Sequence, residues 1–514
     1  MAESKRYILL PRKGLLHEAL GELHPGEAKG LVESKKPHLP FTVQSKLAGG
    51  RDIRVIHSII ANGPKLVELD DLVAGELDRN PDVCKFPVIE HVRSLRNRKP
   101  SGHSPAILRA NFPNLPPTPR KPLKKSRTLE VVIRVMEKKG GEWVSTGSGL
   151  MVTAFYSGDY GDEGFTDDDG KVRLNISGDT IERLYCPQVW GWGAFIRNIS
   201  VKKSFDLKLE PVSDNFTDCV RRYYGQSRFN LATGVTVGVI DSGVGPHDDI
   251  NVIGGCNTTE DPDEDYQDDV DFPHGTFVAG LIGYKGKNPN LRGIAPGVQI
   301  QSYKVFGRLP EGQTRTYALV QAVQRAEMDQ CDILNMSIED LKNDDALEFA
   351  INDAREHGML VVASAGNDKR GSVNYPAACP GVIGVSAMGC EGTFPSGVID
   401  EINVSRPPAS PDNPKEFIAA FSNIGDQISV TALGVGVLST LPDDDFGIGS
   451  GTSFSAPIVT GAAASFLSQA PDIYNMPRNR ARSDEIEKLL LKKCISRGFK
   501  REYQGRGMPD PAQV

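Results

Sequence analysis

The sequence predicts an α/β protein built on a doubly wound, mostly parallel sheet with helices on both faces. A small ferredoxin-like α+β unit and a small β-sandwich precede it. Three observations carry this reading. From about residue 213 onward, buried-looking strands alternate with amphipathic helices, the texture of a parallel sheet covered on both sides. Residues 128 to about 212 hold short alternating segments separated by Gly and Asp clusters, which signal hairpins. Residues 5 to about 92 run strand, helix, strand, strand, helix, strand, the order of a split βαβ unit. A length of 514 residues agrees with about three domains.

In the first unit (1–92) the strands are RYILL, RVIHSII, KLVEL and VCKFPVI, with helices over 15–23 and 70–77. Asp70 is the expected N-cap of the second helix, and Asn80-Pro81 its stop. Residues 93–127 change composition abruptly, with ten Lys or Arg, seven Pro and no Asp or Glu. This is a linker, kept extended by self-repulsion and proline stiffness unless an acidic neighbour binds it. In the sandwich (128–212) the strands are LEVVIRVM, GLMVTAFY, KVRLNI and FDLKLEPV, an antiparallel set. The last unit (213–514) has strands VTVGVI, QIQSYKVF, DILNMS, MLVVASA and GVIGVSA, with helices over 317–328 and 345–357, the latter closed by Gly358. Parallel sheets of this kind carry their sites at the carboxyl ends of the strands.

Composition narrows the function classes. The chain is 39% hydrophobic, enough for sizeable cores. Its 53 glycines and 35 prolines fall well below the low-complexity range of about 25–30%. A net charge of −7 offers no cationic footprint, so neither nucleic acid nor an anionic membrane is an expected partner. No apolar run approaches the roughly 18 residues of a membrane span, and the N-terminal run over 7–10 is too short for a signal-peptide core. A cytoplasmic protein is the expectation. The eight cysteines are scattered without a CxxC pair, as expected of reduced thiols rather than a zinc site or a disulfide framework.

Three polar residues sit at element edges. Asp241 ends VTVGVI, His274 opens HGTFVAGLIG, and Ser453 lies in GTSFSAP ahead of the apolar stretch 458–467. Taken singly, Asp241 reads as a turn cap, His274 as a satisfied histidine at a helix start, and Ser453 as an N-cap. Jointly they supply a nucleophilic hydroxyl, an imidazole to take its proton, and a carboxylate to fix the imidazole's tautomer. A helix starting at Ser453 adds partial positive charge where negative charge would develop, and Gly451 permits close substrate approach.

DSGV, HGTFVAG and GTSFSAP, in this order, resemble the three signature segments of the subtilisin-like serine proteases, a family whose triad is a standard illustration of this chemistry. The resemblance spans 213–514, including GIAPGVQI after the His segment and the closing YQGRGMPDPAQV. It implies a serine endopeptidase acting on proteins or peptides through Asp241, His274 and Ser453. Asn367 in SAGN would donate to the oxyanion together with the Ser453 N–H. It further implies substrate-binding backbone at Ser337, Ile338 and Glu339 and at Ser364, Ala365 and Gly366. The first unit is similar to the family's inhibitory propeptides, so that its tail near 88–92 would lie in the cleft and the chain would be an autoinhibited precursor. The sandwich, through its G-x-T-D-x-D-G loop, resembles the transthyretin-like accessory domains of many peptidases.

The sequence also departs from the family. Glu339 stands where a glycine is usual, which either narrows the specificity pocket, attracts a basic substrate residue, or leaves a rim carboxylate in solvent. Residues 391–417, polar and proline-containing, form an expected surface loop shaping substrate access. Residues 260–271 hold eight acidic residues and no Lys or Arg. They read as a solvated acidic loop, with calcium binding or docking of the basic linker as alternatives. No cofactor is required and no metal ligand is assigned, because GYKGKNPNLRG does not match the family's usual calcium loop. The competing function is a catalytically silent or permanently inhibited protease-like binding protein.

Overall fold

The computed structural model describes residues 5–11, 53–57, 63–78, 83–88, 90–92, 112, 114–121, 128–213, 216–225, 229, 231–260, 265–268, 273–286, 291–307 and 313–512. The expected helix over 15–23 and the Asn80-Pro81 stop lie outside them.

At the N-terminus β1 (Lys5–Pro11), β2 (Arg54–His57), β3 (Lys65–Leu69) and β4 (Val83–Pro87) form an antiparallel sheet in the order β2-β3-β1-β4. Helix α1 (Asp71–Leu77) is capped by the Asp70 carboxylate, which accepts from the N–H groups of Leu72 and Val73. Alternation along the strands splits the sheet's side chains in two. Leu9, Val67 and Leu69 pack with Val73 and Leu77 of α1. Ile8, Leu10 and Leu66 face the opposite way, into the core of the large domain. Strand β5 (Glu90–Val92) leaves this sheet.

The sandwich consists of β6 (Thr128–Lys139), β7 (Glu142–Ser145), β8 (Met151–Ser157), β9 (Tyr160–Phe165), β10 (Lys171–Ser177), β11 (Thr180–Cys186), β12 (Ala194–Ser200) and β13 (Ser204–Lys208). One sheet runs β10-β6-β13 with β7 on β6, and the other runs β12-β11-β8-β9. The expected antiparallel arrangement has one exception. After β12 the chain changes sheets and enters beside β6 in the same direction, so β13 and β6 pair in parallel. The linker's later part is docked rather than free. Leu115 is buried with Met151, Phe155 and Tyr185, Arg120 joins Asp159 and Gly161 through backbone bonds, and Lys121 pairs with Asp162.

In the large domain α2 (Cys219–Tyr224) leads to β14 (Thr236–Asp241), β15 (Val252–Asn257), α3 (His274–Gly283), β16 (Gln299–Lys304), β17 (Gln313–Arg315), α4 (Thr316–Met328), β18 (Ile333–Met336), α5 (Asp345–Glu356), β19 (Leu360–Ser364) and β20 (Ile383–Cys390). Then come β21 (Glu416–Ile418), β22 (Ile428–Leu433), the hairpin β23 (Val437–Leu441) and β24 (Asp445–Gly449), α6 (Thr452–Ser468) and α7 (Arg480–Lys492). The main sheet runs β15-β16-β14-β18-β19-β20-β21, with β22 also on β20, and is parallel except at β21. Its central strands β14, β18, β19 and β20 are buried on both faces, as such sheets require. Val237, Val239 and Val362 join α3 and α6 in one core, while Ile240, Leu334 and Val361 join α4 and α5 in the other. Among the described residues no helix is long and apolar enough to cross a membrane.

Residues 391–417 are not a free surface loop. Ile399 and Val398 are 4% and 2% exposed, because a short 3-10 turn, Ile399–Asn403, is pressed onto the sandwich. Ile399 packs there with Met151, Phe155 and Tyr185, which removes its apolar surface from water.

Candidate active site

The strand order reverses at β14, whose neighbours β16 and β18 lie on opposite sides. A crevice opens at the carboxyl ends of the strands at such a switch point. Asp241 is the last residue of β14 and is fully buried. His274 is the first residue of α3 and is 1% exposed. Its Nδ1 lies 2.9 and 3.0 Å from the two Asp241 carboxylate oxygens. Gly275 makes the approach possible, since a Cβ there would come within 2.0 Å of the Gly243 carbonyl oxygen. The Gly275 N–H donates to Ser242 Oγ at 2.9 Å, which ties the helix start to the strand end a second time.

The next residue of α3, Thr276, donates through N–H and Oγ1 to Asp268 Oδ2, both at 2.9 Å. Asp268 thus satisfies an orphan donor of the first turn. It belongs to the acidic segment expected to be solvated, yet it is buried and its Oδ1 accepts no hydrogen bond. Burial pushes its carboxyl up to about 8, and the neighbouring Asp241 charge adds to the rise while the Thr276 bonds oppose it. Glu260, in the same segment, pairs with Arg315 at 2.7 Å and Arg6 at 3.6 Å. Residues 261–264 and 269–272 lie outside the described residues.

Ser453 sits in the first turn of α6 behind Gly451 and Thr452. The helix is apolar around most of its circumference and buried, as a core helix must be. Pro457 lacks the N–H that would bond the Ser453 carbonyl four residues back. Ser337 Oγ fills this gap, donating to the Ser453 carbonyl at 2.8 Å. Ser337 in turn accepts from Asn335 Nδ2, and Asn335 Oδ1 accepts from Thr460 Oγ1. The Ser337 side chain therefore holds the serine's own peptide unit. Phe454, next to Ser453, lies 5.3 Å from the His274 ring, which brings the serine's turn against the imidazole.

Asn367 follows β19 and is oriented from both ends. Its Oδ1 accepts from the N–H and the Oγ1 of Thr452, each at 3.0 Å. Its Nδ2 is thereby turned toward Glu339, whose carboxylate oxygens lie at 3.3 and 3.4 Å. Gly366 N–H donates to Thr452 Oγ1 at 3.2 Å. Ser364 and Ala365 are fully buried, and the Ala365 N–H and carbonyl bond to Val385 and Asn374. Ser364 Oγ reaches the Ile338 carbonyl at 3.4 Å, and Ile338 is 3% exposed. Ser364, Ala365 and Ile338 thus back the site, while Glu339 and Asn367 face one another across it.

Sequence reasoning missed the frame beneath Asn367. Asn423 accepts from the Asp368 N–H at 2.7 Å, and both Asn374 and Asn423 donate to the Asp368 carboxylate. Nothing local marks these asparagines. Among the described residues one group of side chains is close enough to share a metal, Glu327, Asp353 and His357. It lies at the ends of α4 and α5, and the His357 Nδ1 facing the carboxylates already bonds the Asp353 carbonyl at 2.9 Å. That bond makes it a hydrogen donor rather than an open ligand, and the set is poor in the oxygens calcium prefers.

A parallel sheet with a carboxylate–imidazole pair at its switch point and a serine heading a buried helix has the architecture of a serine hydrolase. A model of the Subtilase family matches residues 232–507, just over half the chain. Among curated relatives, the minor extracellular protease Epr of Bacillus subtilis (strain 168) is 35% identical over 224 residues, covering 43% of this chain and 30% of that protein. Subtilisin NAT of Bacillus subtilis subsp. natto is 33% identical over 244 residues, 46% of this chain and 57% of the relative. Subtilisin DY of Bacillus licheniformis is 33% identical over 265 residues, 50% of this chain and 86% of the relative. The match thus spans about a third of the first of these proteins and somewhat over half of the second. The chain belongs to the subtilase family, and the matched region is a serine endopeptidase domain of that family.

Proposed function

We propose that the protein is a serine endopeptidase made as an autoinhibited precursor. Ser453 attacks the peptide carbonyl, and His274 takes its proton and then delivers it to the leaving amine. Asp241 fixes the imidazole through Nδ1. Asn367 Nδ2 and the Ser453 N–H stabilise the oxyanion. The observation that carries this reading is the buried Asp241–His274 pair at 2.9 Å, facing a helix start whose first turn is bonded to Asn367.

The N-terminal unit acts as the inhibitory domain. In support, β5 pairs antiparallel with β17, Val92 opposite Gln313 and Glu90 opposite Arg315. An added strand of this kind occupies an edge that a peptide substrate would use. Glu339 attracts substrates with a basic residue beside the scissile bond, and such a residue draws the carboxylate away from Asn367. No cofactor takes part in these steps.

The test is labelling with a fluorophosphonate. Removing the nucleophile of a subtilisin costs about a million-fold in kcat, a magnitude known for the family rather than derived from this chain. Ser453→Ala should therefore abolish label and peptide hydrolysis together. A Ser453→Ala chain that still hydrolyses peptides, or a chain that neither takes the label nor cuts any peptide even after residues 1–92 are removed, refutes the assignment. Mass spectrometry of the native chain tests the precursor: cleavage between the first unit and the sandwich is expected, and it should be absent from Ser453→Ala.

A further inference from the structure

Trp190 lies in the loop joining β11 to β12 of the sandwich, yet its ring sits in the large domain. It stacks on Phe277 with centroids 4.8 Å apart and an interplanar angle of 27°, and lies 6.1 Å from Phe454. Phe277 and Phe454 are themselves 4.5 Å apart. Phe277 is one helical turn beyond His274, and Phe454 is the residue after Ser453. A third element joins them: a Cβ on Gly447 of β24, the strand that leads into α6, would come within 3.0 Å of Trp190 Cβ. The backbone of Trp190 has φ 59°, a left-handed conformation costly for a bulky residue and sustained only where packing over-determines it.

We propose that the sandwich is a working part of the active site, with Trp190 as a positioning residue that sets the spacing between the helix of the base and the helix of the nucleophile. The inference rests on the roles proposed for His274 and Ser453. Near the site these two helices meet through the Phe277–Phe454 pair, and aromatic pairs are adaptable in offset and tilt. A third ring laid over both removes that latitude. Proton transfer from Ser453 to His274 tolerates little of it, since a displacement of about 1 Å costs about a hundredfold in rate.

The loop's attachment does not depend on Trp190. Trp192 is 1% exposed and packs with Leu438 and Ile448 of the β23–β24 hairpin. Phe195 N–H donates to the Gly397 carbonyl at 2.8 Å, and Ile399 N–H to the Gly193 carbonyl at 2.7 Å. Removing the Trp190 ring should therefore leave the sandwich docked and disturb the spacing alone.

The experiment compares the full chain with its Trp190→Ala, Trp190→Leu and Trp190→Phe forms, by fluorophosphonate labelling rate and by peptide hydrolysis. For Trp190→Ala, labelling and kcat should fall about tenfold to a hundredfold with KM nearly unchanged. Trp190→Phe should recover most of the rate. Should Trp190→Ala fail to fold, Trp190→Leu, which fills volume without stacking, must still show a kcat loss that Trp190→Phe does not. A native rate in Trp190→Ala or Trp190→Leu, or a change confined to KM, overturns the inference while leaving the hydrolytic assignment standing. A chain that takes no label and cuts no peptide even after residues 1–92 are removed overturns both.

Discussion

The described strands of the N-terminal unit rest on α4 and α5 through one face of a four-stranded sheet, whereas the sandwich reaches α3 and α6 through one loop and receives residues 397–403 in return. The first contact is one face of a sheet laid over two helices and sealed by a shared apolar cluster. Ile8, Leu10 and Leu66 belong to it, Phe86 approaches Phe349 at 6.2 Å, and Gln321 Nε2 donates to the Pro64 carbonyl at 3.2 Å. The second is an interlock. Trp190 and Trp192 enter the large domain, Ile399 enters the sandwich, and Ala194 bridges Val398. Parting the face uncovers one side of a sheet and the helices beneath it, whereas parting the interlock also withdraws side chains that each domain has lodged in the other. The two attachments therefore suit the proposed precursor, in which the N-terminal unit leaves and the sandwich stays.

The largest expected effect comes from breaking the face. Leu66 is fully buried beneath the N-terminal sheet, and a lone charge there costs several kcal/mol. Leu66→Asp should release the unit and raise fluorophosphonate labelling of the uncleaved chain about a hundredfold or more, in line with that energy. An unchanged rate would mean that the sheet does not restrain the site. Breaking the interlock should act in the opposite direction. Ile399→Ala removes a buried side chain at a cost of about 2–4 kcal/mol, so the thermal midpoint and kcat should both fall. If kcat rises instead, the sandwich is a second inhibitor and the contrast between the two attachments fails.

Much of the fold was legible because local chemistry repeats it. The β14, β18, β19 and β20 segments are predominantly apolar, KLVEL coincides with β3, and Asp70 caps α1. The family was legible for another reason, that each of its three signature segments carries its motif within a few residues. What escaped has no period and no local partner. Strands β9 and β11 alternate weakly, with YGDEGF and TIERLYC half-buried. The grip of Asn423 and Asn374 on Asp368, Ser337 covering a carbonyl freed by Pro457, and Trp190 spanning two domains are pairings of residues far apart in sequence. The loop over 391–417 is largely at the surface, as its polar composition suggests, but that composition conceals one apolar turn, Val398 and Ile399, whose partners lie far off in sequence.

A smaller effect tests the substrate preference proposed for Glu339. Charged hydrogen bonds contribute about 1.5–3 kcal/mol, and at 3.3 Å the Glu339–Asn367 contact belongs at the low end. Glu339→Gln should lower kcat/KM for peptides with Lys or Arg before the scissile bond about tenfold, and raise or preserve it for those with Leu. Equal loss for both peptides would mean that Glu339 holds the loop and does not select substrate.

The smallest effect is a pH dependence that only one attachment should show. His57 lies between the N-terminal sheet and α4, its Nδ1 3.1 Å from the Tyr317 hydroxyl and its ring edge-on to the Tyr317 ring at 5.5 Å. Burial lowers its pKa below 6.5, and the Glu260 charge opposes the drop without reversing it. A released N-terminal unit therefore binds a proton more readily than a docked one. Docking is then fully favoured above about 6.5, the pKa of a free histidine, and weakens as the pH falls through and below that value. Labelling of the uncleaved chain should rise on mild acidification, after correction for the pH response of a matured sample. His57→Gln, which keeps a side chain able to bond Tyr317 but cannot titrate, should flatten that rise. The sandwich contacts named above contain no comparable buried imidazole, so a similar acid response in the Ile399→Ala chain's loss of sandwich docking would show that the two attachments share one control after all.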